Sequence, residues 1–326
     1  MHVPEFKDVE AAAERIAHLA IRTPLLESHA LNARTGGRIL LKAETLQRIG
    51  AFKFRGAYNA VSRLSKAQHP GGVVAYSSGN HAQGVAEAAR LCGCPAVIVM
   101  PSDAPAIKVA RTKALGAEVI LYDRNTEDRE AIAGTLARER RAALVLPFDD
   151  SHIIAGQGTA GLELMQQAAA TGAQPDCVLA PCSGGGLITG IALAVKHLRP
   201  QAEVYAVEPA GFDDFGRSLR AGTRQRNARM SGSICDALLS PEPGVLTFAI
   251  AKATLAGALA VTDDEVRAAM RYAFAELKLV VEPGGATALA AVLSGKLPAE
   301  GRTIAVVLSG GNVDPQLFAD ATTAPA

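Results

Sequence analysis

The feature that most constrains this chain is its alternation of short apolar runs with helical patterns. The runs are ILLKAE (39–44), GVVAYS (72–77), AVIVM (96–100), EVILY (118–122), ALVLPF (143–148), CVLAP (177–181), EVYAVEP (203–209) and TIAVVLS (303–309). Many are rich in Val and Ile and bounded by Gly or Pro, as parallel strands buried on both faces are. Between them lie stretches with helical spacing, such as AIKVARTKAL (106–115) and TDDEVRAAMRYAFAELK (262–278). The latter opens on Thr262 with Glu265 three residues on, a capping box that satisfies backbone donors at a helix start. Alternating β and α elements give an α/β fold with parallel sheets flanked by helices. Eight such runs in 326 residues predict two sheets and two domains, with the active site at the carboxyl ends of the strands, between them. The closing ADATTAPA reads as a frayed tail.

Composition narrows the partners. The 33 basic and 32 acidic residues leave a formal charge of +1, without the basic surplus that holds a phosphate backbone, so nucleic acid is not an expected partner. The N-terminus MHVPEFKDVEAAAERI mixes charges and has no apolar signal-peptide core. An uncharged run of 19 residues, Cys177 to Val195, has the length of a membrane span. Pro181 and Ser183-Gly184-Gly185-Gly186 divide it into strand, turn and buried helix, so no membrane partner is expected. The five cysteines are irregularly spaced, and Cys92-Gly93-Cys94 lacks the second pair or nearby histidine of a zinc site. Free thiols suit a reducing compartment, hence the cytoplasm.

The chemistry gathers at strand ends. SSGNH (77–81) follows a strand and opens a helix, which makes it an anion site suited to a carboxylate, or an ordinary capping turn. CSGGGLITG (182–190) sets three glycines before a helix, a cradle for phosphate or a tight strand–helix turn. It matches neither a P-loop nor a dinucleotide fingerprint. LSGGN (308–312) brings Ser309 to another strand end. VEPAGFDD (207–214) offers Glu208, Asp213 and Asp214 around backbone carbonyls, a hard-cation site or a solvated acidic loop. In GAFKFRG (50–56), Lys53 stands between two of the nine Phe residues. Apolar neighbours would desolvate its ammonium and lower its pKa, making it a nucleophile.

A phosphate cradle, a carboxylate cradle and a desolvated lysine together are what pyridoxal phosphate requires. At these residues the chain resembles the fold-type II pyridoxal-phosphate enzymes, in the branch of threonine/serine dehydratases and serine racemases. KAETLQRIGAFKFRGAYNA, SSGNHAQGVAEAAR, PFDDSHIIAGQGTAGLEL, TDDEVRAAM, VVEPGGATALAA and VVLSGGNVD are similar to family segments in family order, across roughly residues 5–315. The resemblance implies a two-domain, tryptophan synthase β-like fold, with residues 1–62 and 151–326 in a large cofactor-binding domain and 63–150 in a small one. It implies that Lys53 carries the cofactor and moves the α-proton, with Phe52 against the cofactor ring and Asn80 at its hydroxyl. Ser183, Gly184, Gly185, Gly186 and Leu187 would hold the phosphate, and Ser309 the pyridine nitrogen. Ser77, Asn80 and His81 would bind the substrate carboxylate, with Arg129 also facing substrate or standing as a surface arginine. Ser78 matches the second acid/base of serine racemase. Glu208, Asp214 and the Phe212 carbonyl match its divalent-cation site, for Mg²⁺ or Ca²⁺.

Two departures stand out. Ser183 replaces the first glycine of the phosphate loop, and SICDALLS (233–240) carries Cys235 and Ala237 where Ala and Gly are usual. The resemblance implies an ammonia-lyase that takes a 3-hydroxy amino acid to a 2-oxo acid and ammonia. L-threonine, L-serine, 3-hydroxyaspartate or phenylserine would be the substrate, and the assembly a homodimer. Three rivals remain: a racemase, a β-replacement enzyme (against which His81 stands in place of Thr), and a catalytically silent binding protein on the same fold.

Overall fold

The computed structural model describes residues 2–323. Among the described residues, ten strands form two sheets. The strands are β1 (Leu25–Glu27), β2 (Arg38–Ala43), β3 (Val73–Tyr76), β4 (Ala96–Pro101), β5 (Glu118–Tyr122), β6 (Ala143–Leu144), β7 (Cys177–Pro181), β8 (Glu203–Pro209), β9 (Gly257–Val261) and β10 (Thr303–Leu308). Six run in the order β1-β2-β10-β7-β8-β9 and four in the order β5-β4-β3-β6. All neighbours pair in parallel except β1 with β2. The parallel register sets strand ends side by side: Val178 of β7 pairs with Ala305 of β10 and with Val204 of β8. The turns after these strands therefore open on one edge.

Helices cover both faces of the larger sheet. Val266, Ala269 and Met270 from Asp263–Leu277 pack with Leu289 and Val292 from Pro283–Leu293 on one face. Leu164 and Ala168 from Ser151–Ala170 pack with Ile188, Ile191 and Val195 from Gly186–Leu198 on the other. The smaller sheet has its own apolar layer, built from Val73, Ala75, Val85, Ile98 and Met100. No helix among the described residues is long and apolar enough to cross a membrane.

Three expectations need correction. The run 143–148 forms only a two-residue strand, because Pro147 lacks the N–H a ladder needs and the chain turns away there. Asp214 does not lie in a loop: it is the first residue of the helix Asp214–Ala221, with Asp213 as its N-cap. The tail is helical through Thr323, where Phe318 packs edge-on against Phe274. Residues 324–326 of the expected frayed end lie outside the described residues.

Candidate active site

Lys53 is the first residue of the helix Lys53–Val61, directly after Phe52. A buried ion network fixes this helix. The Arg55 guanidinium donates to Glu44 at 2.7 Å and to Glu163 at 2.8 Å, and Lys42 donates to Glu163 at 2.7 Å. Arg55 and Glu44 are both fully buried. Burial alone would push the Glu44 carboxyl up, but Arg55 holds it below its ordinary value. The helix also presses against Ser151–Ala170 at Gly156, where a Cβ would lie 2.6 Å from the Gly56 Cα. Glycine on both sides lets the backbones touch.

The start of that helix faces a cavity of about 190 Å³. Lys53 Nζ donates to the Pro147 carbonyl at 2.6 Å and stands 5.3 Å from the Phe52 ring centroid. Burial lowers its pKa to about 8. The side chain is only half-buried, so the cavity walls rather than close packing keep bulk water from the ammonium. A neutral amine is thus accessible close to physiological pH.

Two helix N-termini meet this cavity. After β7, Gly184 and Gly185 lead into Gly186, the first residue of Gly186–Leu198. The turn is squeezed from behind: a Cβ on Gly184 would lie 2.4 Å from the Phe148 ring, and one on Gly185 2.5 Å from the Phe215 ring. Gly185 also has φ of 99°, open to glycine but not to L side chains. The Gly184 carbonyl is held by Thr247 Oγ1 at 2.6 Å. First-turn N–H groups have no intrahelical acceptor, so those of this helix are available to an anion. After β3, Ser77, Ser78 and Gly79 lead into the helix Asn80–Cys92, and the Ser77 hydroxyl accepts from Gly79 N at 3.2 Å.

Every residue expected at cofactor or substrate lines this cavity: Phe52, Lys53, Ser77, Ser78, Asn80, His81, Arg129, Ser183 to Leu187, and Ser309. The Asn80 amide donates to Glu282 at 2.6 Å, and its oxygen accepts from Asn312 at 2.8 Å. His81 bonds the Val145 carbonyl through Nε2 at 3.1 Å, leaving Nδ1 buried without a partner. Burial and the Lys53 charge lower its pKa to about 3, so it is neutral. Arg129 stacks over Tyr76, with Cζ 5.4 Å from the ring centroid.

Sequence reasoning missed Glu282, Lys108 and Asp236, which also line the cavity. Glu282 sits in the quoted segment VVEPGGATALAA as the N-cap of the helix Pro283–Leu293, and a carboxylate directly before Pro-Gly-Gly at a helix start was the available signal. Burial, then the nearby Asp236, push its carboxyl up to about 7. Ser183 finds a local reason. Its hydroxyl donates to Ser240 Oγ at 2.8 Å and accepts from Ser240 N at 3.2 Å, tying the glycine turn to the loop after residue 233.

Glu208, Phe212 and Asp214 lie outside the cavity, behind the glycine turn. The Glu208 carboxylate accepts from Phe215 N at 2.9 Å and Gly216 N at 2.8 Å. Asp214 Oδ1 accepts from Asn227 at 2.6 Å, while Oδ2 is buried with no partner. Burial pushes the Asp214 carboxyl up to about 7 and Glu208 well above the carboxylate range, with Asp214 adding to the rise at Glu208. Two buried acids and an orphaned oxygen fit a hard cation. No group of three or more His, Cys, Asp or Glu gathers among the described residues, so carbonyls or water would complete its shell.

A desolvated lysine facing a glycine-built anion cradle across one cavity has the chemistry to receive a phosphorylated aldehyde cofactor. The residues fit pyridoxal phosphate: the cradle has no room for side chains behind it, and Lys53 Nζ holds only a carbonyl. The sequence pattern of the family described as "Pyridoxal-phosphate dependent enzyme" matches residues 16–310, and the chain belongs to that family. An L-threo-3-hydroxyaspartate ammonia-lyase of Pseudomonas sp is 44% identical to it, over 98% of this chain and 98% of that one. A serine racemase of Schizosaccharomyces pombe is 40% identical, over 97% of each chain. Among solved structures, a serine racemase of maize superposes with a TM-score of 0.92 at 37% identity, covering 98% of this chain and 97% of that one.

Proposed function

We propose that this enzyme is an ammonia-lyase for L-3-hydroxy amino acids, releasing a 2-oxo acid and ammonia. The observation that carries the reading is Lys53 Nζ, desolvated and bound to one carbonyl, in the same cavity as the glycine cradle and the Ser77–Asn80 turn. Pyridoxal phosphate bound here supplies the sink for the electron pair left on the substrate α-carbon. Ser183 to Leu187 would hold its phosphate, with Phe52 against its ring, Asn80 at its hydroxyl and Ser309 at its nitrogen, all of them lining this cavity. A serine at the ring nitrogen is neutral and restrains that sink. The N–H groups of the Ser77–Asn80 turn, with His81 behind them, fix the substrate carboxylate. The Lys53 amine would hold the cofactor at rest and would take the proton from the substrate α-carbon during turnover. The β-hydroxyl takes up a proton as it departs, so water is the leaving group. Hydrolysis of the resulting enamine frees the 2-oxo acid and ammonia.

A second reading, racemisation, is favoured by Ser78, whose hydroxyl-bearing side chain lines the same cavity as Lys53 and would serve as the second acid/base. The proposal includes a divalent cation at Glu208, Asp214 and the Phe212 carbonyl. It divides the chain into a large unit, 1–62 and 151–326, and a small one, 63–150. The four strands of the smaller sheet all fall within 63–150, which supports that division. A homodimeric assembly and a cytoplasmic setting belong to the same reading. The test is to incubate holoenzyme with L-threonine, L-serine and L-threo-3-hydroxyaspartate and follow 2-oxo acid and enantiomer together. Oxo acid in excess of enantiomer is expected. Enantiomer without oxo acid would replace the lyase with a racemase.

A further inference from the structure

Lys108 and Asp236 line the cavity but take no part in the chemistry above. Lys108 stands on the helix Ala106–Ala114, which follows β4 of the smaller sheet, and Asp236 on the turn Asp236–Leu238. Lys108 Nζ donates to Asp236 Oδ2 at 2.6 Å. Neither side chain makes another hydrogen bond among the described residues. The two ends differ in burial: the lysine is 16% exposed and the aspartate 62%. A mostly buried ammonium is thus paired with a carboxylate that can turn into water. Exchange of one carboxylate for another keeps this ammonium paired, and the displaced Asp236, already 62% exposed, regains water.

Register places this ammonium relative to the substrate. β4 pairs with β3 in parallel, with Tyr76 opposite Val99. The Ser77–Asn80 turn and the Lys108 helix therefore both follow the carboxyl edge of one sheet. A substrate held by its α-carboxylate on that turn extends its β-substituent into a cavity whose other charged groups are Lys53, Arg129, Glu282 and Asp236. With Lys53 committed to the cofactor, Lys108 and Arg129 are the cations that remain.

We propose that Lys108 is a specificity-determining residue whose ammonium receives a second carboxylate on the substrate, displacing Asp236 into solvent. The preferred substrate is then a 3-hydroxy dicarboxylic amino acid, with 3-hydroxyaspartate the smallest. Asp236 is the internal stand-in that occupies Lys108 when the substrate has an alkyl or hydrogen β-substituent. A substrate carboxylate offers Lys108 the same charge-assisted bond as Asp236 does, while the released Asp236, 62% exposed, is hydrated, which gives the exchange its direction. The inference rests on the lyase reading for its substrate but not for its binding step.

Two measurements on the holoenzyme test it. The first is the ratio of kcat/KM for L-threo-3-hydroxyaspartate to that for L-threonine. Lys108→Met should lower this ratio at least tenfold, mainly through KM, Lys108→Arg should restore most of it, and Asp236→Asn should raise it. The second is calorimetric binding of L-malate, a dicarboxylate with no amine to react, which Lys108→Met should weaken at least tenfold. A ratio and a malate affinity that both move less than threefold in Lys108→Met overturn the proposal. A wild type that makes oxo acid from neither substrate overturns the lyase reading, and malate binding still decides for or against Lys108.

Discussion

Stripping divalent cations with chelator while pH is raised tests the acidic site behind the glycine turn. Without a cation, the folded protein holds the Asp214 carboxyl at about 7 against an ordinary value of 3.8, with burial as the main cause. A folded-state pKa raised in this way means that the folded protein binds the extra proton. Stability is then complete below about pH 4, falls as pH rises from about 4 to about 7, and levels off above. The whole rise is worth ~4 kcal/mol, of which roughly two-thirds falls between about pH 5 and about pH 8. Glu208 shifts in the same direction. At an unfolding entropy of about 2.1 cal/mol/K per residue, a chain of 326 residues should lose about 4 °C of Tm in chelator over that interval. Mg²⁺ or Ca²⁺ binds the ionised pair in the folded state alone and should restore that loss at the upper pH, with little effect at the lower. Scanning calorimetry at both pH values, with chelator and with cation, reads both effects. Asp214→Asn should flatten the pH dependence and remove the response to cation. A wild type whose Tm ignores chelator and cation at the upper pH would refute the reasoning, as would an Asp214→Asn variant that responds as the wild type does.

The remaining predictions concern the cavity and its support. Ser78→Ala should slow interconversion of serine enantiomers at least tenfold more than elimination from L-substrates, read by chiral chromatography against oxo-acid release; equal losses would make Ser78 structural. Glu44→Gln leaves the Arg55 guanidinium buried with only Glu163 to balance it, and should cost ~3 kcal/mol in urea unfolding; an unmoved midpoint would show the network to be dispensable. Gly185→Ala forces a side chain into φ of 99° and against Phe215, and should weaken pyridoxal-phosphate affinity at least tenfold by fluorescence titration. Wild-type affinity in that variant would remove the cradle from the account.

Most of the strands were legible because parallel strands buried on both faces carry runs of Val and Ile that no other element needs. Those that escaped lack the signal. β1 is three residues and half-exposed, and β9, GALAV, is an edge strand of small side chains. Lys53, the Ser77–Asn80 turn and the glycine turn were legible together and through their resemblance to family segments, since Ser and Asn at a helix start taken alone also read as an ordinary capping turn. Lys108, Asp236 and Glu282 were not, because their meaning lies in contacts that span the chain. Lys108 meets Asp236 across 128 positions, and Asn80 meets Glu282 across 202. The role of Ser183 likewise emerges only when Ser240 is brought beside it.

The account turns on which lysine carries the cofactor, and the cavity offers two, Lys53 and Lys108. Reduction of the holoenzyme with borohydride fixes the cofactor to its lysine, and peptide mass mapping locates it. The account predicts the added mass on the peptide that contains Lys53, and its absence, with loss of turnover, in Lys53→Ala. The added mass on Lys108, or a Lys53→Ala variant that still releases oxo acid, would contradict it.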